Sequence, residues 1–424
     1  MTGRAGGRLR GRSGPSRTEL ALTVAFLLAL TAGFVAIAVL SYRVLAGEET
    51  DPQSNLPPLA LVSDEETVFD HTEDACSPID IPDAPARAFR DANGQVHLIA
   101  SHYVTRAMVG SSLDTVRHDC RRLMVSDLDG DPARFDDREW ITAPYTTDGR
   151  TVHALVHNEY QGDKHPGRCP SEDHLKCWYN SITLARSTDG GRTFTHASPP
   201  RHLVASVPYR YEPDAGPFGL FQSSNIVRGA EDGSEDGFYY ALIHAEAFSA
   251  QRRGTCVMRT ARLDLPGSWR AWDGSAYNVK FADPYRAPGE SGHLCAPVSF
   301  PEIAAMTQSL TYNTYLDKYV LVSPAGAPRP GRRGVVWGFY YSTSDDLIDW
   351  TPRQLIREAV LNSQHQCSDP NPVGYPSLLD PDSRSRNFET TGRRPWLYFT
   401  RFHFKECRNV LNRDLVRVRV RFSR

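Results

Sequence analysis

Hydrophobic and polar positions follow two different patterns along this chain. The first is one uncharged run, "LALTVAFLLALTAGFVAIAVL" at residues 20–40, preceded by an arginine-rich segment with no acid before Glu19. At about 1.5 Å per residue, a helix of this length spans a hydrocarbon core of about 30 Å. The run is also longer than the roughly 7–15 apolar residues of a cleavable signal peptide. It therefore favours a transmembrane signal-anchor helix over residues 20–42, with a cleaved signal as the alternative.

The charges around this helix predict the orientation of the chain. Positively charged flanks stay in the cytoplasm, so the basic segment 1–19 should lie inside. A polar, proline-bearing linker follows at residues 43–60, and residues 61–424 form the globular part. We expect a single-pass protein of the cell membrane with this globular part outside.

The second pattern is an apolar strand that ends in polar residues and occurs five times. The copies are "HLIASHY" (97–103), "HALVHNEY" (153–160), "YALIHAEAF" (240–248), "YVLVSPA" (319–325) and "WLYFTRF" (396–402). Aligned on their apolar residues, they place in one column Ser101, His157, His244, Ser323 and Thr400. Two columns later stand Tyr103, Glu159, Glu246, Ala325 and Phe402.

Further strands surround each copy and complete a repeating unit. A first strand is expected before each copy, in "ARAFRD", "WITAPYT", "QSSNIV", "SLTYNTY" and "GYPSLLD". After each copy comes a strand and a turn built around Asp, in "SSLDTVRHD", "STDGGRTF", "ARLDLPGSW", "TSDDLIDW" and "NRDLVRV". Radial repetition of such four-stranded units makes a β-propeller. The predicted fold is therefore all-β, a five-bladed β-propeller over residues 61–424, although alternating apolar strands also occur in β-sandwiches.

The net charge and the cysteines indicate which partners and which cellular compartment the protein has. The formal net charge of −2 argues against a nucleic-acid-binding surface, which is usually strongly basic. An even number of cysteines in an exported domain indicates disulfides, although eight cysteines allow 105 connectivities. Because consecutive cysteines lie within or beside one blade, we expect the pairs Cys76–Cys120, Cys169–Cys177, Cys256–Cys295 and Cys367–Cys407. The sequence lacks Cys-x-x-Cys and His-Glu-x-x-His motifs, so no zinc site is expected.

One turn is specific enough to compare with known proteins. Ser187, Asp189, Gly191, Thr193 and Phe194 follow the order S-x-D-x-G-x-T-aromatic, which resembles the Asp-box of sialidases and related propellers. The five units and the last-blade phrases "GYPSLLDPDS" and "RPWLYFTRF" look more like the arabinanase, xylosidase and fructosidase group of glycosidases. The resemblance implies a glycosidase-like propeller, and Asp-boxes lie on the outer edge of blades, away from the catalytic face.

The polar ends of the five apolar strands should converge on one face of such a propeller. The second and third blades place similar chemistry there, in His157, Asn158 and Glu159 and in His244 and Glu246. Two carboxyl groups suffice for glycoside hydrolysis when their environments separate their pKa values. At a strand end, however, a glutamate can also be merely solvated or ion-paired.

The first blade adds a third carboxylate. The resemblance implies a catalytic base near the start of this blade, which makes Asp83 the nominee; its alternative role is to cap a turn before Pro85. The predicted catalytic set is Asp83, Glu159 and Glu246. The predicted substrate-binding set is Arg87, Tyr103, His157, Asn158, His244 and Arg401. No cofactor is expected; the histidines are interpreted as neighbours of the acids, although they could help hold a structural cation in the central channel.

Two functions remain open from the sequence. The first is a membrane-anchored glycoside hydrolase that cleaves an extracellular polysaccharide, with a furanosidic bond as the leading expectation. The second is a non-catalytic propeller that binds a glycan or a protein partner at the cell envelope. Carbohydrate is the partner in the first and one of the two possible partners in the second. Both proteins would contact the membrane through the N-terminal helix, and neither would bind nucleic acid.

Overall fold

The computed structural model describes residues 57–100, 102–231, 234–287, 289–329, 333–367 and 369–423. The predicted membrane helix over residues 20–42 lies outside these ranges, as does Ser101. Within them, no helix has both the length and the apolarity needed to cross a bilayer. The helices there are short, and two of them are α-helical turns, α1 (His71–Asp74) and α2 (Phe300–Ile303).

The structure consists mainly of antiparallel sheets. The first two strands of the described chain are outer strands of the sheet that contains its last strand. Strands β1 (Leu59–Leu61) and β2 (Glu66–Phe69) pair with the last strand of the protein, Arg408–Phe422. The first two residues of β1 thus belong to a sheet, although the sequence assigns them to the linker.

The first two blades follow directly. Blade 1 consists of β3 (Arg87–Arg90), β4 (Val96–Ile99), β5 (Val104–Gly110) and β6 (Arg117–Val125). Blade 2 consists of β7 (Arg138–Tyr145), β8 (Val152–Gln161), β9 (Trp178–Ser187), β10 (Thr195–His196) and β11 (Leu203–Ala205). Both short strands, β10 and β11, pair with β9 at the outer edge.

The next two blades have the same order. Blade 3 consists of β12 (Phe218–Ser223), β13 (Val227–Glu231), β14 (Ser234–Glu246), β15 (Gly254–Thr260) and β16 (Arg270–Ala271). Its first strand is split, since β12 and β13 both pair with β14. Blade 4 consists of β17 (Ser309–Asn313), β18 (Lys318–Pro328), β19 (Val335–Ser344) and β20 (Gln354–Glu358).

Blade 5 is completed by both ends of the described chain. It consists of β21 (Val373–Leu379), β23 (Trp396–Lys405) and β24 (Arg408–Phe422), with β1 and β2 as the outer strands. Strand β22 (Thr390–Thr391), which lies between β21 and β23 in the chain, pairs instead with β17 of blade 4. The N-terminal strands thus complete the sheet of the last blade.

Hydrogen bonds between the first strands of neighbouring blades close the ring. They join Arg87 to the Thr142 carbonyl, Thr142 to Ser223, Asn225 to Leu310, Ser309 to Leu378, and Ser377 to the Ala86 carbonyl. Each first strand therefore contacts the next, and the fifth contacts the first. The all-β propeller predicted from the sequence is the fold observed, with five blades around one channel.

The five repeated apolar segments are the second strands of the blades, β4, β8, β14, β18 and β23. Four of the five Asp turns connect a third strand to a fourth, as predicted. The fifth prediction is wrong, because "NRDLVRV" lies inside β24. Blade 5 takes its outer strands from the N-terminal end, so its third strand continues without a turn.

The turn after β9 shows why its residue order is so specific. Ser187 Oγ accepts from the Gly191 N–H at 2.9 Å, and Asp189 Oδ1 accepts from the Thr193 N–H at 3.0 Å. Gly191 has φ of +90°, and a Cβ there would meet the Phe89 ring. Burial alone would raise the pKa of Asp189, but its hydrogen bonds outweigh burial and lower the pKa to about 2.

Four disulfides cross-link the chain within and beside the blades. They join Cys76 to Cys120, Cys169 to Cys177, Cys256 to Cys295 and Cys367 to Cys407. The predicted sequential pairing is confirmed. Between the blades lie apolar cores; that between blades 1 and 2 includes Phe89, Ile141 and Phe194.

Candidate active site

A cavity of about 240 Å³ opens at one end of the central channel. All five blades or the segments leading into them line it. The lining residues are Asp83, Trp140, His157, Glu159, Trp178, Phe221, Gln222, His244, Ala305, Thr307, Gln308, Ser323, Pro324 and Tyr375. Ends of second strands supply His157, Glu159, His244 and Ser323, which is the convergence that the repeat predicts.

Asp83 precedes β3, and donors from distant parts of the chain surround its carboxylate. Trp140 Nε1 donates to Oδ2 at 3.3 Å, and the Tyr375 hydroxyl donates to Oδ1 at 3.1 Å. The Arg413 guanidinium forms an ion pair with Oδ1, and His102 Nε2 lies 3.6 Å from Oδ2. Both carboxylate oxygens are therefore fixed in position at the edge of the cavity.

Glu159 lies on β8 and presents the second carboxyl group of the cavity. Burial, with a smaller contribution from the negative charge of Asp83, outweighs the hydrogen bond from Gln161 and raises the pKa of Glu159 to about 8. Gln161 Nε2 donates to Oε2 at 2.8 Å. At neutral pH this carboxyl group is therefore protonated and can donate a proton.

The neighbouring histidine supports that protonation state. Burial lowers the pKa of His157 to about 4, so its imidazole is neutral at pH 7. Its Nε2 lies 2.8 Å from Asn180 Oδ1, an arrangement in which Nε2–H donates to the amide oxygen. The other nitrogen, Nδ1, then carries a lone pair, and it lies 3.6 Å from Glu159 Oε1. A lone pair facing this oxygen favours the protonated carboxyl over the carboxylate.

The third predicted carboxylate, Glu246, is not among the residues that line the cavity. His244 Nε2 lies 3.1 Å from its Oε2, and Arg253 Nε lies 3.2 Å from its Oε1. Burial would raise the pKa of Glu246, but the histidine and the arginine outweigh burial and lower it. The structure thus brings Asp83 and Glu159 together at the cavity and leaves Glu246 as an ion-paired carboxylate behind His244.

Three predicted substrate-binding residues have other contacts. Arg87 is buried below the cavity, where it donates to the carbonyls of Thr142 and Gln308 and ties the blades together. Asn158 points away from Glu159, because side chains alternate along a strand, and it donates to Ser181 Oγ at 3.1 Å. Arg401 forms an ion pair with Glu65. None of these three residues is among those that line the cavity.

Tyr103 lies behind the wall of the cavity. Its ring packs against His102 and Trp140, with centroid distances of 4.2 Å and 5.6 Å. It therefore supports Trp140 and is not itself a lining residue.

One wall of the cavity is aromatic and is formed by Trp140, Trp178, Phe221 and Tyr375, none of which is in the predicted site. Trp140 stands at the start of a predicted first strand, so its position was available from the repeat. Tyr375 adopts φ of +55°, a conformation uncommon for a bulky residue, and this turns its hydroxyl toward Asp83. No signal in the sequence marks that turn.

Comparison with solved structures finds matches of low sequence identity. It is similar to a glycosyl hydrolase from Bacteroides ovatus, with TM-score 0.43 and 10% identity over 86% of this chain and 94% of that one. It is also similar to an α-L-arabinanase from Cellvibrio cellulosa, with TM-score 0.41 and 10% identity over 80% and 91%. A xylan β-1,4-xylosidase from Bacillus halodurans C-125 gives TM-score 0.43 and 11% identity over 81% of this chain, which spans 54% of the xylosidase.

No protein-family model matches the chain, and no curated protein matches its sequence. The solved structures named above have TM-scores below 0.5 and about 10% identity to this chain, so they assign neither a family nor an activity. What the cavity can do has to be argued from its own residues.

Proposed function

We propose that the protein is a glycoside hydrolase in which Glu159 is the general acid and Asp83 is the second catalytic carboxylate. One observation carries this proposal. Two carboxyl groups from different blades line the same aromatic-walled cavity, and burial keeps one of them protonated at neutral pH. Paired carboxyl groups with separated roles are what cleavage of a glycosidic bond requires.

Each carboxyl group has its own task in this proposal. Glu159 would protonate the leaving oxygen of the scissile bond while positive charge develops on the sugar ring. Asp83, fixed by Trp140, Tyr375 and Arg413, would either attack the anomeric carbon or activate a water molecule. The faces of Trp140 and Trp178 can pack against the apolar C–H faces of sugar rings.

The finer features of the proposal rest on the sequence. The arginine-flanked apolar run supports a membrane anchor with the propeller outside, and four disulfides agree with an oxidising compartment. The resemblance to furanosidase-type propellers supports a furanosidic bond in an extracellular polysaccharide as the substrate.

A non-catalytic, glycan-binding role is the second candidate, and one observation favours it. Both oxygens of Asp83 already accept from protein donors, including the Arg413 guanidinium. A carboxylate held this way can also serve as a fixed part of a sugar-binding surface, with the aromatic wall supplying the contacts.

One experiment separates the two functions. The full-length chain, purified in detergent, is incubated with a panel of furanosidic and pyranosidic polysaccharides beside its D83N, E159Q and E212Q variants. If the protein is a hydrolase, wild type should release oligosaccharides from at least one polymer, whereas D83N and E159Q should not. E212Q should keep the activity, because Glu212 is exposed. Retention of a polymer without any product would support binding alone.

The product of an active enzyme also assigns the role of Asp83. The anomer released first, identified by NMR, has the substrate's configuration if Asp83 is the nucleophile and the opposite configuration if it activates water.

A further inference from the structure

A cluster of two carboxylates and two histidines lies inside blade 2, apart from the cavity. Asp136 lies just before β7 and Glu139 near its start, His196 belongs to β10, and His202 directly precedes β11. Asp136, Glu139 and His202 are 3%, 1% and 0% exposed. Glu139 adjoins the cavity residue Trp140 but points from the other face of the strand, because side chains alternate along it.

The spacing within this cluster is that of ligands around one ion. Each residue offers one ligand atom, and these four atoms all lie within 4.8 Å of one another. His196 Nε2 is 3.3 Å from Asp136 Oδ1 and 3.6 Å from Glu139 Oε2. Atoms bound at about 2.0–2.2 Å to a shared zinc ion are separated by at most about 4.4 Å. Small side-chain movements would therefore suffice to bring all four to bonding distance.

Two polar atoms in the cluster lack a hydrogen-bond partner, which is the second and independent observation. Glu139 Oε2 and His202 Nδ1 are buried and have no hydrogen-bond partner. Buried polar atoms are satisfied in most native structures, and each exception needs a cause such as an ion. Both belong to the group of four residues whose ligand atoms converge.

The histidines are oriented as metal ligands are. His202 Nε2 lies 3.0 Å from the Phe135 carbonyl oxygen, and His196 Nδ1 lies 2.9 Å from that of Ala197. A ring nitrogen that donates to a backbone carbonyl fixes the tautomer and leaves the other nitrogen as a lone-pair donor, the usual outer contact of a ligating histidine. Glu139 has a similar support, since its Oε1 accepts from Thr183 Oγ1 at 3.4 Å.

The carboxylates of the cluster face few positive side chains. Among the described residues, the one within ion-pair distance of both is His196. A divalent ion bound by all four residues would displace the protons that they share, as metal binding generally does.

We propose that Asp136, Glu139, His196 and His202 bind one divalent transition-metal ion, with zinc as the best match. Two imidazoles and two carboxylates are donors that zinc accepts, and four protein ligands make a closed, structural site. The ion would tie the first strand of blade 2 to its outer edge. The sequence motifs predicted no zinc because the ligands come from two segments about sixty residues apart, without a Cys-x-x-Cys or His-Glu-x-x-His motif.

The test measures metal on the full-length chain, purified in detergent without a histidine tag. The protein is treated with a chelator, loaded with excess zinc and freed of unbound metal before mass-spectrometric metal analysis. We expect about one zinc per wild-type chain and a retained fraction at least tenfold lower in E139Q and H196Q. The matched control is H174Q, which removes a histidine 3.2 Å from a single carboxylate, Asp163, and should keep its zinc.

Cobalt loading gives a readout that does not depend on stability. Four-coordinate cobalt absorbs strongly in the visible, so wild type and H174Q should show these bands and E139Q should not. If the variants fail to fold, wild-type protein alone still decides the matter through its metal content and its cobalt spectrum. Less than about 0.1 zinc per chain in wild type, or equal zinc in E139Q and wild type, would overturn the proposal and leave an ion-paired histidine cluster.

Discussion

Blade 2 carries a buried glutamate and a histidine on each of two faces, and the two pairs differ in charge. Burial raises the pKa of both glutamates, Glu159 at the cavity and Glu139 in the interior, to about 8. Beside Glu159, burial lowers the pKa of His157 to about 4. Beside Glu139, the hydrogen bond with Asp136 and the charge of Glu139 raise the pKa of His196 to about 9.

The comparison shows that access for a ligand, more than residue type, decides which chemistry a glutamate–histidine pair can perform. The register places Trp140 opposite His157 and Glu139 opposite Asn158, so neighbouring positions of β7 and β8 serve opposite faces. Toward the cavity, a protonated glutamate beside a neutral histidine can give its proton to a ligand. Toward the interior a sugar cannot enter, and the four converging donor atoms suit an ion that displaces their protons.

Loss of the cavity glutamate should have the largest effect. E159Q keeps the shape of the protonated side chain but cannot donate a proton, so the rate of product formation should fall by about 10²–10⁴-fold. The measurement is kcat on the polymer that wild type cleaves, together with the zinc content. E159Q should keep both its zinc and its melting temperature. Activity within tenfold of wild type would remove Glu159 from the role of general acid.

Loss of the interior glutamate should change stability in a metal-dependent way. Zinc at about 100 times its Kd should stabilise wild type by about 2.7 kcal/mol, because only the folded chain assembles the four ligands. E139Q resembles the protonated glutamate, so it should melt near wild type in chelator and gain little from zinc. The measurement is thermal unfolding of both proteins in both conditions. An equal gain in E139Q would place the stabilising zinc elsewhere.

The sequence predicted the blades well because an apolar strand with a polar end is a local pattern. His157, Glu159 and His244 reach the cavity region for that reason, since equivalent strand ends meet in a closed ring. Arg87 and Asn158 do not line the cavity, because side-chain direction and the packing of the channel decide their partners. Arg413 and Tyr375 reach Asp83 from the last blade, and no local pattern reports a contact across so much of the chain.

The pH dependence of activity tests the protonation assigned to Glu159. The reaction needs the protonated form, so kcat/KM should be retained below about pH 8 and fall about tenfold per pH unit above it. An unperturbed glutamate titrates near pH 4.3, which would place the same loss below neutral pH. The residual activity of E159Q should lack this basic limb. A limb that persists unchanged in E159Q would belong to another group.

The smallest effect should come from Trp140, which links the two faces through its position beside Glu139. W140F keeps an aromatic ring in the wall but removes the donor that lies 3.3 Å from Asp83 Oδ2. A neutral donor of this kind contributes about 1 kcal/mol, so kcat should fall about fivefold with little change in KM. A rise in KM with kcat unchanged would instead make Trp140 a sugar-binding surface. Zinc retained at the wild-type level in W140F would show that the interior face keeps its structure when the cavity face is altered.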